Sequence, residues 1–154
     1  MNLYLKQHVF TWGDRFSIYD IDGNSVFSVE SEVFTFGKKL HVFDFNGNEV
    51  AFIRQKLFNF MPNYSVMIHG ENYCEVQKHF TFFSRKYYVD GLDITVSGDF
   101  TAHEYTAEKD EKTVFNVSKR WFTFGDAYEI NINDIDPLVA LCIVLIVDAC
   151  DSDN

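Results

Sequence analysis

Hydrophobic and polar residues alternate along most of this chain, which is the pattern of strands with one buried face and one wet face. The alternation is clearest over residues 64–69, 92–97 and 128–133, where Tyr, Leu, Ile or Val takes every second position. About twelve short strands of this kind fit before residue 136. The pattern therefore predicts a mainly β chain built from antiparallel hairpins.

The pattern changes near the C-terminus, where residues 138–147 are apolar without a break. Asp136 can cap a helix and Pro137 suits its first turn, so we predict a helix over about 136–148. The many β-branched residues leave a buried strand as the alternative. A helix with no polar face must be enclosed, and this one is shorter than the roughly 20 residues of a membrane span.

The helix and the strands together predict the architecture. A closed antiparallel barrel of about twelve strands would be hollow unless something filled it. A helix is about 10–12 Å across with its side chains, which suits such an interior. We therefore predict a mainly β fold in which a closed barrel of about twelve strands encloses the hydrophobic C-terminal helix.

An internal repeat supports this architecture. Residues 10–24 match residues 34–48 at an offset of about 24 residues, and weaker copies begin at Phe58, Phe80 and Phe122. Each copy holds an aromatic corner, a strand and a turn dipeptide that accepts positive φ and predicts a two-residue hairpin loop. The dipeptides are Asp22-Gly23, Asn46-Gly47 and Asp90-Gly91.

Composition narrows the classes of partner. The chain has 154 residues and a formal charge of −10, so as a whole it repels nucleic acid, although a local basic patch can still bind phosphate. Cys74, Cys142 and Cys150 show neither a disulfide framework nor a zinc pattern, and the first two suit a core. We see no targeting or transmembrane segment and expect a cytoplasmic protein.

Several short motifs occur in a specific order along the chain. They lie at residues 18–24, 42–48, 53–57, 62–64, 98–100, 103–105, 119–121 and 125–128, and the apolar helix follows them. In this order they resemble the LURP-one-related family, in the tubby C-terminal-like and phospholipid scramblase-like superfamily, and especially its small bacterial-type members. The resemblance implies one tubby-like β-barrel domain over residues 1–150, with a short acidic tail at 151–154.

The resemblance also implies a class of ligand. Tubby-like relatives bind phosphoinositide head groups, and scramblase-like relatives associate with membranes and lipid transport. Arg54 and Lys56 share one face of a predicted strand and resemble the basic pair that holds phosphate in tubby-like domains. Gln55 and Leu57 depart from the richer run of cations in that site, and a solvent-facing strand with two solubilising cations is the alternative.

Further cations follow the aromatic corners and are expected to gather at one end of the barrel. We therefore assign a phosphate or lipid head group site to Arg54, Lys56, Lys38, Lys39, Arg85 and Lys86. The corners themselves have two interpretations, because they can close the barrel ends or present an apolar patch to a partner or a membrane. We favour closure for Trp12, Phe34, Phe36, Phe58, Phe60, Phe82, Phe83, Trp121 and Phe124.

The acidic residues do not predict a metal site. The segment 20–24 resembles a calcium loop, but Ser25 and Ser31 stand where an EF-hand needs Gly and Glu, so we predict a hairpin turn. Asp136 and Asp148 would lie roughly 18 Å apart on a straight helix, too far for one ion. Asp136 is interpreted as the helix cap, and the acidic residues that follow the helix as a solvated end. These are Asp148, Asp151 and Asp153.

The sequence does not indicate an enzyme. It lacks a nucleophile elbow, a zinc-protease motif and a phosphate loop, and its histidines are scattered. They are His8, His41, His69, His79 and His103. We expect a non-enzymatic binding or scaffold module, without cofactor, that recognises phosphorylated or lipid head groups at a membrane surface. The alternatives are a protein-interaction module that uses the corners or a free sheet edge, and a small-molecule carrier.

Overall fold

The computed structural model describes residues 1–6, 15–32, 36–58, 60–80, 83–122 and 125–151, with the backbone alone at 121–122 and 125–126. Several residues named above lie outside the described side chains. These are His8, Trp12, Phe34, Phe82, Trp121, Phe122, Phe124 and Asp153.

Within the described ranges the chain forms twelve strands followed by one helix. The first six strands are β1 (Asn2–Lys6), β2 (Arg15–Tyr19), β3 (Ser25–Ser31), β4 (Lys39–Asp44), β5 (Glu49–Gln55) and β6 (Asn63–Ile68). The next six are β7 (Glu71–Phe80), β8 (Arg85–Asp90), β9 (Ile94–Asp99), β10 (Glu104–Lys109), β11 (Lys112–Phe122) and β12 (Gly125–Ile132). The helix is α1 (Pro137–Asp151).

The strands form a closed antiparallel barrel in sequence order. Each strand pairs with the next along the chain, and β1 pairs with β12 over its whole length, from Asn2–Asn131 to Lys6–Ala127. We call the end where the odd-numbered strands finish the corner end, and the end where the even-numbered strands finish the turn end. The prediction of a closed barrel of about twelve strands is confirmed.

Two of the three predicted hairpin turns, at Asp22-Gly23 and Asn46-Gly47, are one residue longer than predicted, and at the third Val89 pairs with Ile94, which leaves four residues between them. The amide of Asp20 donates to the carbonyl of Asn24 at 2.9 Å, and the amide of Gly23 donates to the carbonyl of Asp20 at 3.1 Å. Three residues therefore form the loop, and Gly23 supplies its positive φ of 84°. The Asp20 carboxylate stabilises the longer loop by accepting from the amides of Asp22 and Asn24. The same bonds recur at residues 44–48.

Helix α1 enters the barrel at the turn end and finishes at the corner end. Its predicted cap is confirmed, because the amide of Leu138 donates to Oδ1 of Asp136 at 2.8 Å. Residues 138–147 are all buried, and they pack with the inward residues of the strands in one hydrophobic core. The helix continues to Asp151, three residues beyond its predicted end. The described part of the chain contains no helix with the length and hydropathy that crossing a bilayer requires.

Candidate functional site

The two ends of the barrel carry different charge. The Lys and Arg residues all fall within the described ranges, and every one except Lys109 and Lys112 lies in a strand half or connection that leads to the corner end. At the turn end, the acidic residues far outnumber these two lysines. They are Asp20, Asp22, Asp44, Glu49, Glu71, Asp90, Asp93, Glu108, Asp110, Glu111, Asp134 and Asp136. The formal charge of −10 is therefore concentrated at the turn end.

The six predicted binding cations all lie at the corner end, but they divide into two sets. Lys39 and Arg54 occupy opposed positions on β4 and β5, on the outer wall of the barrel. Lys86 lies on the outer face of β8, next to the inward, buried Tyr87. The side chains of these three cations make no ion pair with any described residue, so they are available to an external anion. Lys56 differs from them because its Nζ binds the carboxylate of Glu75.

The remaining two cations contact the end of helix α1. Nζ of Lys38 donates to the carbonyl of Ala149, and Nη1 of Arg85 lies 3.6 Å from Oδ1 of Asp151. The last carbonyl groups of a helix lack partners within it and carry partial negative charge. Lys38 therefore completes the hydrogen bonding of the helix end, and Lys78, which is 8% exposed, adds charge beside Cys150.

The four corner residues whose side chains are described are exposed, which contradicts their assignment to barrel closure; the other five lie outside the described side chains. Phe36, Phe58, Phe60 and Phe83 are between 81% and 101% exposed, and Leu57 and Phe80 are exposed beside them. The connections that hold these residues follow β3, β5 and β7, so they are consecutive around the barrel. We call this group of exposed residues on one side of the corner end the apolar rim; it comprises Phe36, Leu57, Phe58, Phe60, Phe80 and Phe83.

Tyrosines fill the barrel mouth in place of the corner residues. Tyr64, Tyr87, Tyr105 and Tyr128 are 3% exposed or less. They lie near the starts of β6, β8, β10 and β12, respectively. The hydroxyl of Tyr105 has no hydrogen-bond partner among the residues described. Alternation in the sequence predicted buried positions for Tyr64 and Tyr128, but no signal grouped the four tyrosines at one mouth of the barrel.

Asp148 lies inside the helix, not in a solvated tail as predicted. Its side chain is 11% exposed and accepts a hydrogen bond from the hydroxyl of Tyr128. Nδ1 of His103 lies 3.8 Å from its Oδ1. Burial raises the pKa of Asp148 to about 7, the Tyr128 hydrogen bond opposes this rise, and the charge of Asp151 adds to it. Asp151, the last helical residue, pairs with Arg85.

The thiol and imidazole groups of the described residues are shaped by burial and by neighbouring carboxylates. Burial raises the pKa of Cys74 to about 12 and that of Cys150 to about 11, so both thiols stay protonated and are poor nucleophiles. His41 binds Glu32 and Glu49 on the outer wall; burial lowers the pKa of His41, but the two carboxylates outweigh this and raise it. In the described ranges, His, Cys and acidic residues form no cluster that could hold a metal ion.

Comparisons with known proteins agree with this geometry. A model of the LURP-one-related family matches residues 1–148. The uncharacterized protein YxjI of Bacillus subtilis is 34% identical over 149 residues, which cover 96% of this chain and 92% of YxjI. A crystal structure of an Arabidopsis thaliana protein has the same fold, with a TM-score of 0.71, 16% identity, and coverage of 99% of this chain and 91% of the plant chain. On the match over nearly its full length, this protein belongs to the LURP-one-related family.

Proposed function

We propose that this protein is a non-enzymatic binding module whose corner end docks on membranes that carry anionic lipid head groups. One observation carries the proposal: the apolar rim lies at the same end as nearly all the cations. Aromatic side chains partition into the interfacial region of a bilayer, and flanking cations attract anionic lipids. In this proposal the protein is cytoplasmic and peripheral to the membrane.

The apolar rim and the cations on the wall beside it have separate roles in docking. Phe58 and Phe60 are exposed without covering any part of the protein, so a bilayer interface can take up their rings at no cost in lost core packing. Lys39 and Arg54 lie on the wall beside this rim, where each cation near an anionic surface contributes about 1 kcal/mol. Arg offers a planar fork to phosphate oxygens, and Lys offers a point charge.

The acidic turn end supports the same orientation. An anionic surface repels the carboxylates of that end and attracts the cations of the other. The net charge of −10 therefore opposes non-specific adsorption but still permits docking through the corner end.

Vesicle flotation tests the proposal. The wild-type protein should float with vesicles of phosphatidylcholine mixed with phosphatidylserine, and much less with phosphatidylcholine alone. Lys39→Ala/Arg54→Ala should weaken binding to the anionic vesicles by roughly tenfold or more, because two surface cations are lost. Phe58→Ser/Phe60→Ser should weaken it as well, because the rim loses two rings.

Matched controls separate docking from general effects of charge and hydrophobicity. Lys109→Ala/Lys112→Ala removes the same charge from the turn end and should leave flotation unchanged. Ile21→Ser/Phe45→Ser removes two exposed apolar side chains from that end and should also have no effect. Equal binding to neutral and anionic vesicles, or equal losses in the control variants, would overturn the proposal.

A further inference from the structure

The barrel wall has a seam between its first two strands. Among the described residues, β1 and β2 pair only at Tyr4 and Tyr19, whereas β1 pairs with β12 along its whole length. Beyond that single pair, Leu5 and Lys6 share no ladder position with β2. The Tyr4–Tyr19 pair still closes the barrel here, so the seam is a weakly paired part of the wall and not a free sheet edge.

A cleft of about 500 Å3 lies at this seam. Its volume is in the range of pockets that bind small ligands or the anchoring side chains of a partner. Its lining is Tyr4, Leu5, Lys6, Tyr19, Asp20, Ile21, Asp22, Gly23 and Ala127. Leu5 and Ala127 are buried, Tyr4 and Tyr19 bring phenol rings, and Ile21 is 70% exposed. The centre of the cleft is therefore apolar.

Hydrogen bonds hold the cleft in place before any ligand arrives. The hydroxyl of Tyr4 donates to Oε1 of Glu129 at 3.2 Å. Asn2 and Arg120 also donate to this carboxylate, whose side chain is only 5% exposed. On the other side, the Asp20 carboxylate accepts from the amides of its own loop and so fixes the loop that carries Ile21. A site that is ordered in advance loses less entropy on binding.

Besides Asp20, whose carboxylate accepts from the amides of its own loop, two charged side chains line the cleft. Lys6 and Asp22 form no ion pair within the described part of the chain, and both line the cleft. Lys6 lies two residues from Tyr4 toward the corner end, and Asp22 lies three residues from Tyr19 toward the turn end. At about 3.3 Å per residue, their backbones are roughly 15 Å apart along the strand direction. The cleft is therefore positive at one end, apolar in the middle and negative at the other end.

We propose that this cleft binds an extended segment of a partner protein. The segment packs an apolar side chain against the outer faces of Tyr4 and Tyr19, and it places a basic residue beside Asp22 and an acidic residue beside Lys6. About five extended residues span the distance between the two charges. The site lies on the outer wall and does not depend on membrane docking.

Charge-swapped variants and labelled peptides test the inference by fluorescence anisotropy. The probe is the peptide Lys-Val-Phe-Val-Glu, compared with versions that carry Lys at both ends or Glu at both ends. Wild-type protein should prefer the mixed peptide. Lys6→Glu should shift the preference to the doubly basic peptide, and Asp22→Lys to the doubly acidic one. Each shift should be roughly fivefold, since exposed ion pairs contribute up to about 1 kcal/mol.

The repeat supplies a matched control for the apolar part of the cleft. Ile21→Ser should weaken binding of the mixed peptide, whereas Phe45→Ser, at the same position of the next repeated turn and outside the cleft lining, should not. Circular dichroism verifies that every variant is folded. The proposal is overturned if no peptide binds, or if the charge swaps leave the preference unchanged. It is also overturned if the wild-type protein self-associates and Ile21→Ser abolishes this self-association, because the cleft would then bind a second copy of the chain.

Discussion

The hydroxyl group of Tyr128, on the last strand, donates a hydrogen bond to the carboxyl group of Asp148 inside the helix that the barrel encloses. The His103 ring stacks on the Tyr128 ring, with centroids 4.7 Å apart and planes 4° from parallel. His103 belongs to the connection between β9 and β10 at the corner end. The contact between the helix end and the barrel wall therefore depends on whether Asp148 is ionised.

Stability should fall as the pH rises from about 4 to about 7. The pKa of Asp148 rises from 3.8 to about 7 on folding, mainly because of burial, so the folded state binds its proton more tightly than the unfolded state. This contribution is fully present below pH 3.8 and is lost once the pH passes 7. It amounts to at most about 4 kcal/mol. Urea unfolding across this range would measure it.

Asp148→Asn should flatten that pH dependence and stabilise the protein at pH 8. The amide keeps a hydrogen-bonding group beside Tyr128 but removes the buried charge. Asp134→Asn, at an exposed position before the helix, serves as the control and should leave the profile as it is. If the free energy of unfolding of Asp148→Asn still falls with pH as steeply as that of the wild type, groups other than Asp148 cause the pH dependence.

Lys38→Met should lower the free energy of unfolding by about 1 kcal/mol, because the last turn of α1 loses a cation and a donor to the Ala149 carbonyl. Lys39→Met removes the same charge from the next residue, which faces outward opposite Arg54, and should change stability little. Guanidinium unfolding of both variants provides the measurement. Equal losses in the two would contradict the capping role of Lys38.

Gly98→Ala should destabilise the barrel by about 3 kcal/mol. Gly98 has a φ of 140°, and an added Cβ would lie 2.6 Å from the carbonyl oxygen of Glu104 and 2.7 Å from Cα of Tyr105. Both atoms belong to the backbone of β10, which cannot move without breaking the pairing of β9 and β10. Gly47→Ala meets open space and should cost only about 1 to 2 kcal/mol, from its positive φ. Thermal unfolding would rank the two.

Leu141→Ala should cost about 3 kcal/mol, because the side chain is fully buried at the centre of the helix and its removal leaves a cavity in the core. Leu57→Ala, at an exposed position of the corner end, is the matched control and should cost well under 1 kcal/mol. A small loss for Leu141→Ala would mean that the barrel does not enclose α1 tightly.

The fold could be predicted from the sequence because its signals are local and repeated. The alternation at Tyr64 and Val66 reports which face of β6 is buried, and both residues are 1% exposed. The Asp136 cap and the unbroken apolar run after it identify the helix within the chain itself. An apolar helix that follows many strands in the chain is compatible with few architectures, because the rest of the fold must surround it.

The site was harder to predict because its residues meet through space. Asp148 follows an apolar run and so resembles a helix end; only the fold places Tyr128 against it. Lys38 and Lys39 were grouped because both follow an aromatic corner, yet strand alternation with the buried Leu40 already puts Lys38 on the inward face and Lys39 on the outward one. The exposed rings of Phe58 and Phe60 carried no sequence signal that separated them from core aromatics.

The pairing of β1 with β12 also constrains how the chain folds. Asn2 must find Asn131, so the sheet closes only after nearly all of the chain is available, and such distant contacts form slowly. Helix α1 comes after β12 in the chain, yet it must be within the cylinder when the first and last strands join. The interior therefore cannot be sealed before α1 has been synthesised, and the apolar segment that becomes the plug remains exposed in the unfolded chain until it enters the cylinder.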